Sequence, residues 1–256
     1  MPCIEYAGRS DTGRQRSTNQ DRWFADAELC LYVVADGIAG SNNGALAAQL
    51  VTDLMPTYLL RHFGPSDIED SDAAARLREA VAEVSDHLYA QGRNDLRMTG
   101  SGTTVVAAVV TPSRAVIAHL GDSRAYLYRD KTLERLTADH NLVEALIHAR
   151  ELTAAEAAKH PARNVLTRHV AMNPPALPDA CTVEVGPGDR ILLCSDGLHG
   201  VVGEELIAQL LDSHGGPGDA CEALIEAANL AGGPDNVTVL VVNIPRGAAE
   251  AVDLSE

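Results

Sequence analysis

The chain has 256 residues, 46% of them hydrophobic but only 4% aromatic, so Val, Leu, Ile and Ala must fill the core of one sizeable domain. Its 36 acidic residues against 20 basic ones give a net charge of −16 with no basic run, which excludes a nucleic-acid partner. No apolar stretch approaches the ~20 residues of a membrane span, and the opening MPCIEYAGRSDTG lacks the basic and apolar regions of a secretory signal, so a soluble cytoplasmic protein is expected.

In chain order, a short apolar strand is expected to begin near Trp23, just after Asp21 in NQDRWFAD. LYVVADG (31–37) lies in a buried strand, about 29–35, that stops at Asp36-Gly37. A helix follows Gly44, which Pro56 should end or kink. Leu77, Val81, Val84 and Leu88 recur at spacings of four, three and four, one face of a helix over about 72–92. Strands are expected at 103–110, 114–120 and 124–129, the last two as a hairpin with the tight turn Gly121-Asp122-Ser123-Arg124. DHNLVEALIHAR and the Thr153/Glu156 capping signature predict two short helices over about 140–160, read as a surface flap. Further strand signal fills 181–194 and stops at a second pair, Asp196-Gly197, in RILLCSDG. Asp219 with Glu222 reads as a capping box for a helix through about 230. Gly232-Gly233-Pro234 then turns the chain into Asp235 and a strand over 236–243. Runs of strands separated by helical blocks favour an α+β fold. One domain over 1–245 and a frayed acidic tail over 246–256 are expected. The five cysteines show no C-x-x-C spacing, and Cys30 and Cys194 are expected inside strands as small core residues.

An Asp-Gly pair alone is ordinary turn punctuation. Two of them on buried strands hold carboxylates at the ends of stiff elements, and oxygen ligands so placed suit hard Mg²⁺ or Mn²⁺. Asp21, Asp36, Asp122, Asp196 and Asp235 together exceed what turn chemistry requires. No histidine is assigned as a metal ligand; His119 and His140 are noted only for their neighbours.

The segments SDTGRQRSTNQD, VVADGIAG, GSGTTVVAAVV, HLGDSRAYLY, LTADHN, HPARNVLTR, ILLCSDGL and GGPDNVTVLVV occur in this order. Over about residues 5–244 the chain resembles the metal-dependent protein serine/threonine phosphatases of the protein phosphatase 2C type, especially their bacterial branch. The resemblance implies a four-layer α-β-β-α sandwich of two antiparallel sheets with the metals at one end. It implies that Asp36 bridges two of two to three divalent ions, Mn²⁺ or Mg²⁺, with the Gly37 carbonyl on the second. Asp196 and Asp235 would hold the first ion, and Asp21 the second through water. Asp122 would join Asp196 at a third, weaker site, and Arg16 would bind phosphate. A metal-bridged water would then hydrolyse phosphoserine or phosphothreonine in proteins, with Arg16, Asp36 and Asp196 as the catalytic residues and no phosphoenzyme. Such an enzyme opposes a Ser/Thr kinase in signal transduction and is expected to act as a monomer, with phosphorylated proteins as partners.

The chain departs from the family pattern at Gln20, where many relatives have Glu, and at Ile38, Ala39 and Ser41 after the first Asp-Gly. The leaving-group acid stays open among a metal-bound water, His140 and a group near the substrate. A non-catalytic regulator that keeps the fold and binds a phosphoprotein or kinase is the alternative function. A phosphatase devoted to one regulatory partner is a variant of the first.

Overall fold

In the computed structural model, which describes residues 4–38, 43–64, 67–95, 100–157, 159–173 and 176–245, most strands are apolar on both faces because both faces are covered. Two antiparallel five-stranded sheets form. The first has the order β1 (Glu5–Asp11), β10 (Val237–Asn243), β9 (Arg190–Cys194), β6 (Arg124–Arg129), β7 (Thr132–Arg135). The second runs β2 (Asp21–Asp26), β3 (Leu31–Asp36), β4 (Val105–Val110), β5 (Arg114–Leu120), β8 (Asp179–Glu184). Successive strand residues point to opposite faces. Tyr32 and Val34 of β3 therefore enter the core between the sheets, together with Ile117, Ile191 and Leu240. Val33 and Ala35 enter a second core beneath α1 (Gly44–His62) and α2 (Ala73–Asn94). Leu192 and Cys194 of β9 face a third core, against α5 (Asp196–His199), α6 (Glu204–Ser213) and α7 (Pro217–Leu230). The result is the expected α-β-β-α sandwich. The two expected short helices form, α3 (Leu142–His148) and α4 (Ala154–Ala157), and Thr153 and Glu156 cap each other through 2.8 and 3.3 Å bonds.

Several local expectations fail for physical reasons. β5 and β6 are not a hairpin: β5 pairs with β4 and β8, and β6 with β7 and β9. Gly121–Ser123 instead carries the chain from one sheet to the other. Helix α1 runs through Pro56. Burial of Met55, Tyr58 and Leu59 around it, about 1.5–3 kcal/mol each, outweighs the ~3 kcal/mol cost of an interior proline. No capping box opens α7; Gly216 is the N-cap without a side-chain bond, and Pro217 supplies a preset first turn. Strand β9 ends at Cys194, so Asp196 begins a helix rather than closing a strand. Cys30 lies in the β2–β3 turn at φ 53°, half-buried, whereas Cys194 is a core residue as expected. Strands β1 and β7 went unpredicted, being edge strands with exposed polar residues. Ala39, Gly40, Ser41 and the acidic tail lie outside the described residues.

Candidate metal centre

The site begins with strand register. Asp21 and Asp36 are direct partners across β2 and β3, so their side chains leave the same face of the sheet as neighbours. The Thr103-Thr104 pair of GSGTT fixes Asp36 by its backbone. Thr103 Oγ1 and the Thr104 N–H donate to the Asp36 carbonyl at 2.7 and 2.8 Å, and the Asp36 N–H donates to Thr104 Oγ1 at 3.1 Å. Asp21 is 2% exposed. Its Oδ2 accepts from Ser195 Oγ at 2.8 Å, and Ser195 Oγ accepts the Thr238 N–H at 2.9 Å, which ties Asp21 across the seam to the other sheet.

That other sheet supplies Asp196 on the first residue of α5 and Asp235 two residues before β10. Both Asp-Gly glycines serve close approach rather than a sharp turn. A Cβ on Gly37 would lie 2.3 Å from the Gly44 carbonyl carbon, and one on Gly197 would lie 1.9 Å from the Asn236 carbonyl oxygen. Neither has a positive φ. Asn236, beside Asp235, staples the loop that carries Arg16. It accepts the Gln20 N–H at 2.8 Å and donates to the Thr12 and Thr18 carbonyls at 2.9 Å each.

Asp122 reaches the site from the crossover between the sheets. His199 Nε2–H donates to the Asp122 carbonyl at 3.0 Å, and the Gly121 N–H donates to His140 Nδ1 at 3.2 Å. Thr104 Oγ1 and Ser123 Oγ are 2.6 Å apart, and Arg124 forks onto Asp139 at 2.8 and 2.7 Å.

These distant residues are coupled electrostatically. Burial raises the Asp36 carboxyl well above its ordinary range, and Asp21, Asp196 and Asp122 raise it further. Asp196 is pushed up to about 8 by burial and then by Asp122, Asp235 and Asp21. Asp122 is pushed up to about 6 by burial first and Asp139 second, and burial raises Asp21 as well. Asp21 Oδ1 and Asp196 Oδ1 are buried without a hydrogen-bond partner. Buried oxygens of like charge and no donor are costly unless a cation neutralises them, so this all-oxygen set fits a hard divalent metal. Arg16 is held beside the cluster by a 2.7 Å ion pair from Nη2 to Asp235 Oδ2 and is 41% exposed along its side chain, which leaves the rest of its fork facing outward.

A second cluster, His119, His140 and Asp179, brings ligand atoms within 4.8 Å of one another but does not suit a metal. The Gly121 N–H occupies His140 Nδ1, so Nε2 carries the proton and donates to Asp179 Oδ2 at 3.1 Å. Arg168 forks onto both Asp179 oxygens at 2.8 and 2.9 Å. Buried at 2% exposure with both nitrogens engaged, and pushed down to about 4 by burial and His119, His140 is also unsuited to act as the leaving-group acid. Ser195, Asn236, Thr103-Thr104 and His199 escaped the sequence reading. The available signal was their place beside or within the aspartate motifs.

Comparison with known proteins agrees with this architecture. Residues 8–225 match the family described as protein phosphatase 2C. The chain is 33% identical over 237 residues to a serine/threonine phosphatase, stp, of Listeria welshimeri, covering 91% of this chain and 93% of that one. It is 36% identical over 241 residues to the serine/threonine protein phosphatase PstP of Mycobacterium tuberculosis, covering 94% of this chain and 45% of that longer protein. A crystal structure of the PstP catalytic domain with two manganese ions superimposes with a TM-score of 0.81 at 34% identity, covering 94% of this chain and 98% of that one.

Proposed function

The chain belongs to the protein phosphatase 2C family, and from that membership and the geometry above we propose that it hydrolyses phosphoserine and phosphothreonine in proteins. Asp36, Asp196 and Asp235, assisted by Asp21, would hold two divalent cations, Mn²⁺ or Mg²⁺, with the Gly37 carbonyl as a further ligand and Asp122 sharing a third with Asp196. Bound there, such cations neutralise phosphoryl charge and lower the pKa of a coordinated water. The chain's own residues do the rest. Arg16, anchored at one nitrogen by Asp235, presents its remaining donors to phosphoryl oxygens in a planar fork. Ser195 and the two threonines hold the carboxylates at fixed separation, so little reorganisation is needed as charge develops. The flap, rooted where the Leu142 N–H donates to the Val165 carbonyl at 2.9 Å, would select among protein substrates. Opposition to a Ser/Thr kinase and action as a cytoplasmic monomer complete the reading.

The observation that carries it is the pair of buried, unpartnered oxygens on Asp21 and Asp196 inside a cluster of mutually repelling carboxyls. Mn²⁺-dependent turnover of p-nitrophenyl phosphate and a phosphothreonine peptide, abolished by Asp36→Asn, tests it. Folded protein that turns over neither substrate and binds no Mn²⁺ in calorimetry would instead support the non-catalytic regulator.

A further inference from the structure

Asp122 is the carboxylate of the cluster that sits on the crossover between the two sheets, between β5 and β6, yet it is only 7% exposed. The three residues that carry it, Gly121–Ser123, have no ladder of their own, and Gly121 sits at φ 113°. A Cβ there would come within 2.6 Å of Thr104, so no side chain at 121 could brace the loop from within. It is braced from outside. His140 takes the Gly121 N–H on Nδ1 at 3.2 Å and returns its own N–H to the Gly121 carbonyl at 3.0 Å. From the other side, His199 donates Nε2–H to the Asp122 carbonyl at 3.0 Å.

We propose that His140 and His199 are positioning residues that clamp the Gly121–Ser123 crossover and thereby set the Asp122 carboxylate for the divalent cation it shares with Asp196. The proposal rests on the metal-dependent reading above.

Each ring is held in the required tautomer. His140 is fixed as an acceptor at Nδ1 because Nε2–H is committed to Asp179, itself forked by Arg168. It also stacks on His119 at 4.4 Å between ring centroids, and His119 Nε2–H donates to the Ala138 carbonyl at 2.8 Å. His199 ends the single turn of α5 that Asp196 begins. One rigid turn thus fixes Asp196 and, through His199, the backbone of Asp122. Partners of this kind, which orient a ligand without touching the metal, typically cost 10–100-fold in affinity when lost.

The test exploits the different reach of two amides. At position 140, Asn can keep an acceptor where Nδ1 was, whereas Gln reaches only the Nε2 position and leaves the Gly121 N–H without its acceptor. At position 199, Gln can keep a donor where Nε2 was, and Asn cannot. Mn²⁺ binding is followed by calorimetry and by the spin-resonance signal of free Mn²⁺. The weakest site is expected to lose about tenfold in affinity in His140→Gln and His199→Asn, and to stay within about threefold of wild type in His140→Asn and His199→Gln. The tighter sites should hold within about twofold in all four. Equal losses in both variants at a position, no loss in any, or a wild type without a weaker site would overturn the clamp. Amide exchange in the unmutated, metal-free protein is an independent measure. Gly121 should be protected to the degree of its β5 neighbours, and exchange at open-loop rates would overturn the proposal. The crossed pattern in Mn²⁺ binding without any phosphate release would leave the clamp standing and remove the phosphatase reading instead.

Discussion

Without metal, the carboxyl cage should work against the fold, and replacing Asp196 by Asn should make the metal-free protein more stable. Asp196 is raised from 3.8 to about 8, first by burial and then by Asp122, Asp235 and Asp21. A carboxyl whose folded pKa exceeds its unfolded one binds protons more tightly when folded. Its contribution is therefore fully present below about pH 4 and is lost as pH rises through about 8. At pH 7 that gap corresponds to at most about 4 kcal/mol, burial supplying the largest part. Asn removes the charge but still buries a polar amide, so the recovery is on the order of 2 kcal/mol. For a chain of this size that corresponds to a melting temperature about 4–8 °C higher. Calorimetry in a chelator from pH 5 to 8.5 should show the Asp196→Asn advantage growing with pH, and saturating Mn²⁺ should reverse the order. An Asp196→Asn protein less stable than wild type in chelator at pH 8 would refute the reasoning.

Arg16→Ala should raise the KM for p-nitrophenyl phosphate about tenfold, and Arg16→Lys should recover less than half of that loss, because a point charge cannot reproduce the fork. Gly197→Ala drives a Cβ into the Asn236 carbonyl at 1.9 Å and should cost about 3 kcal/mol in urea melts; a neutral result would show that α5 can shift freely. Ser195→Ala strands the Thr238 N–H and should cost about 1–3 kcal/mol, read in the same melts. Shortening the α3–α4 segment should change phosphopeptide kinetics more than p-nitrophenyl phosphate kinetics, and equal losses would assign the flap to fold support alone.

The central strands were legible because apolar runs such as VVAAVV and VTVLVVN are covered on both faces, which no turn or surface helix requires. Edge strands β1 and β7 carry no such mark. The 114–129 stretch misled because Gly-Asp-Ser between two apolar runs has the chemistry of a hairpin turn, while the pairing of each run is settled by partners elsewhere in the chain. The aspartates were legible for a local reason: each adjoins a glycine, a turn or a strand end. Their supports were not, since His199 meets Asp122 across 77 positions and Ser195 meets Asp21 across 174. No local periodicity encodes a contact of that span. Arg16 was singled out only by the family resemblance of its segment, and its tether to Asp235, 219 positions away, had no local mark.

The proposed cage takes Asp21 and Asp36 from one sheet, Asp196 and Asp235 from segments that flank strands of the other, and Asp122 from the strip that joins them. An ion lodged there would fasten the two halves of the sandwich like a clasp at one rim. Their relative sliding by a single strand residue, ~3.3 Å, would pull the ligands out of register. Substitutions deep between the sheets, at Ile117 or Leu240 for instance, can therefore disturb phosphate release without touching any group that meets the substrate.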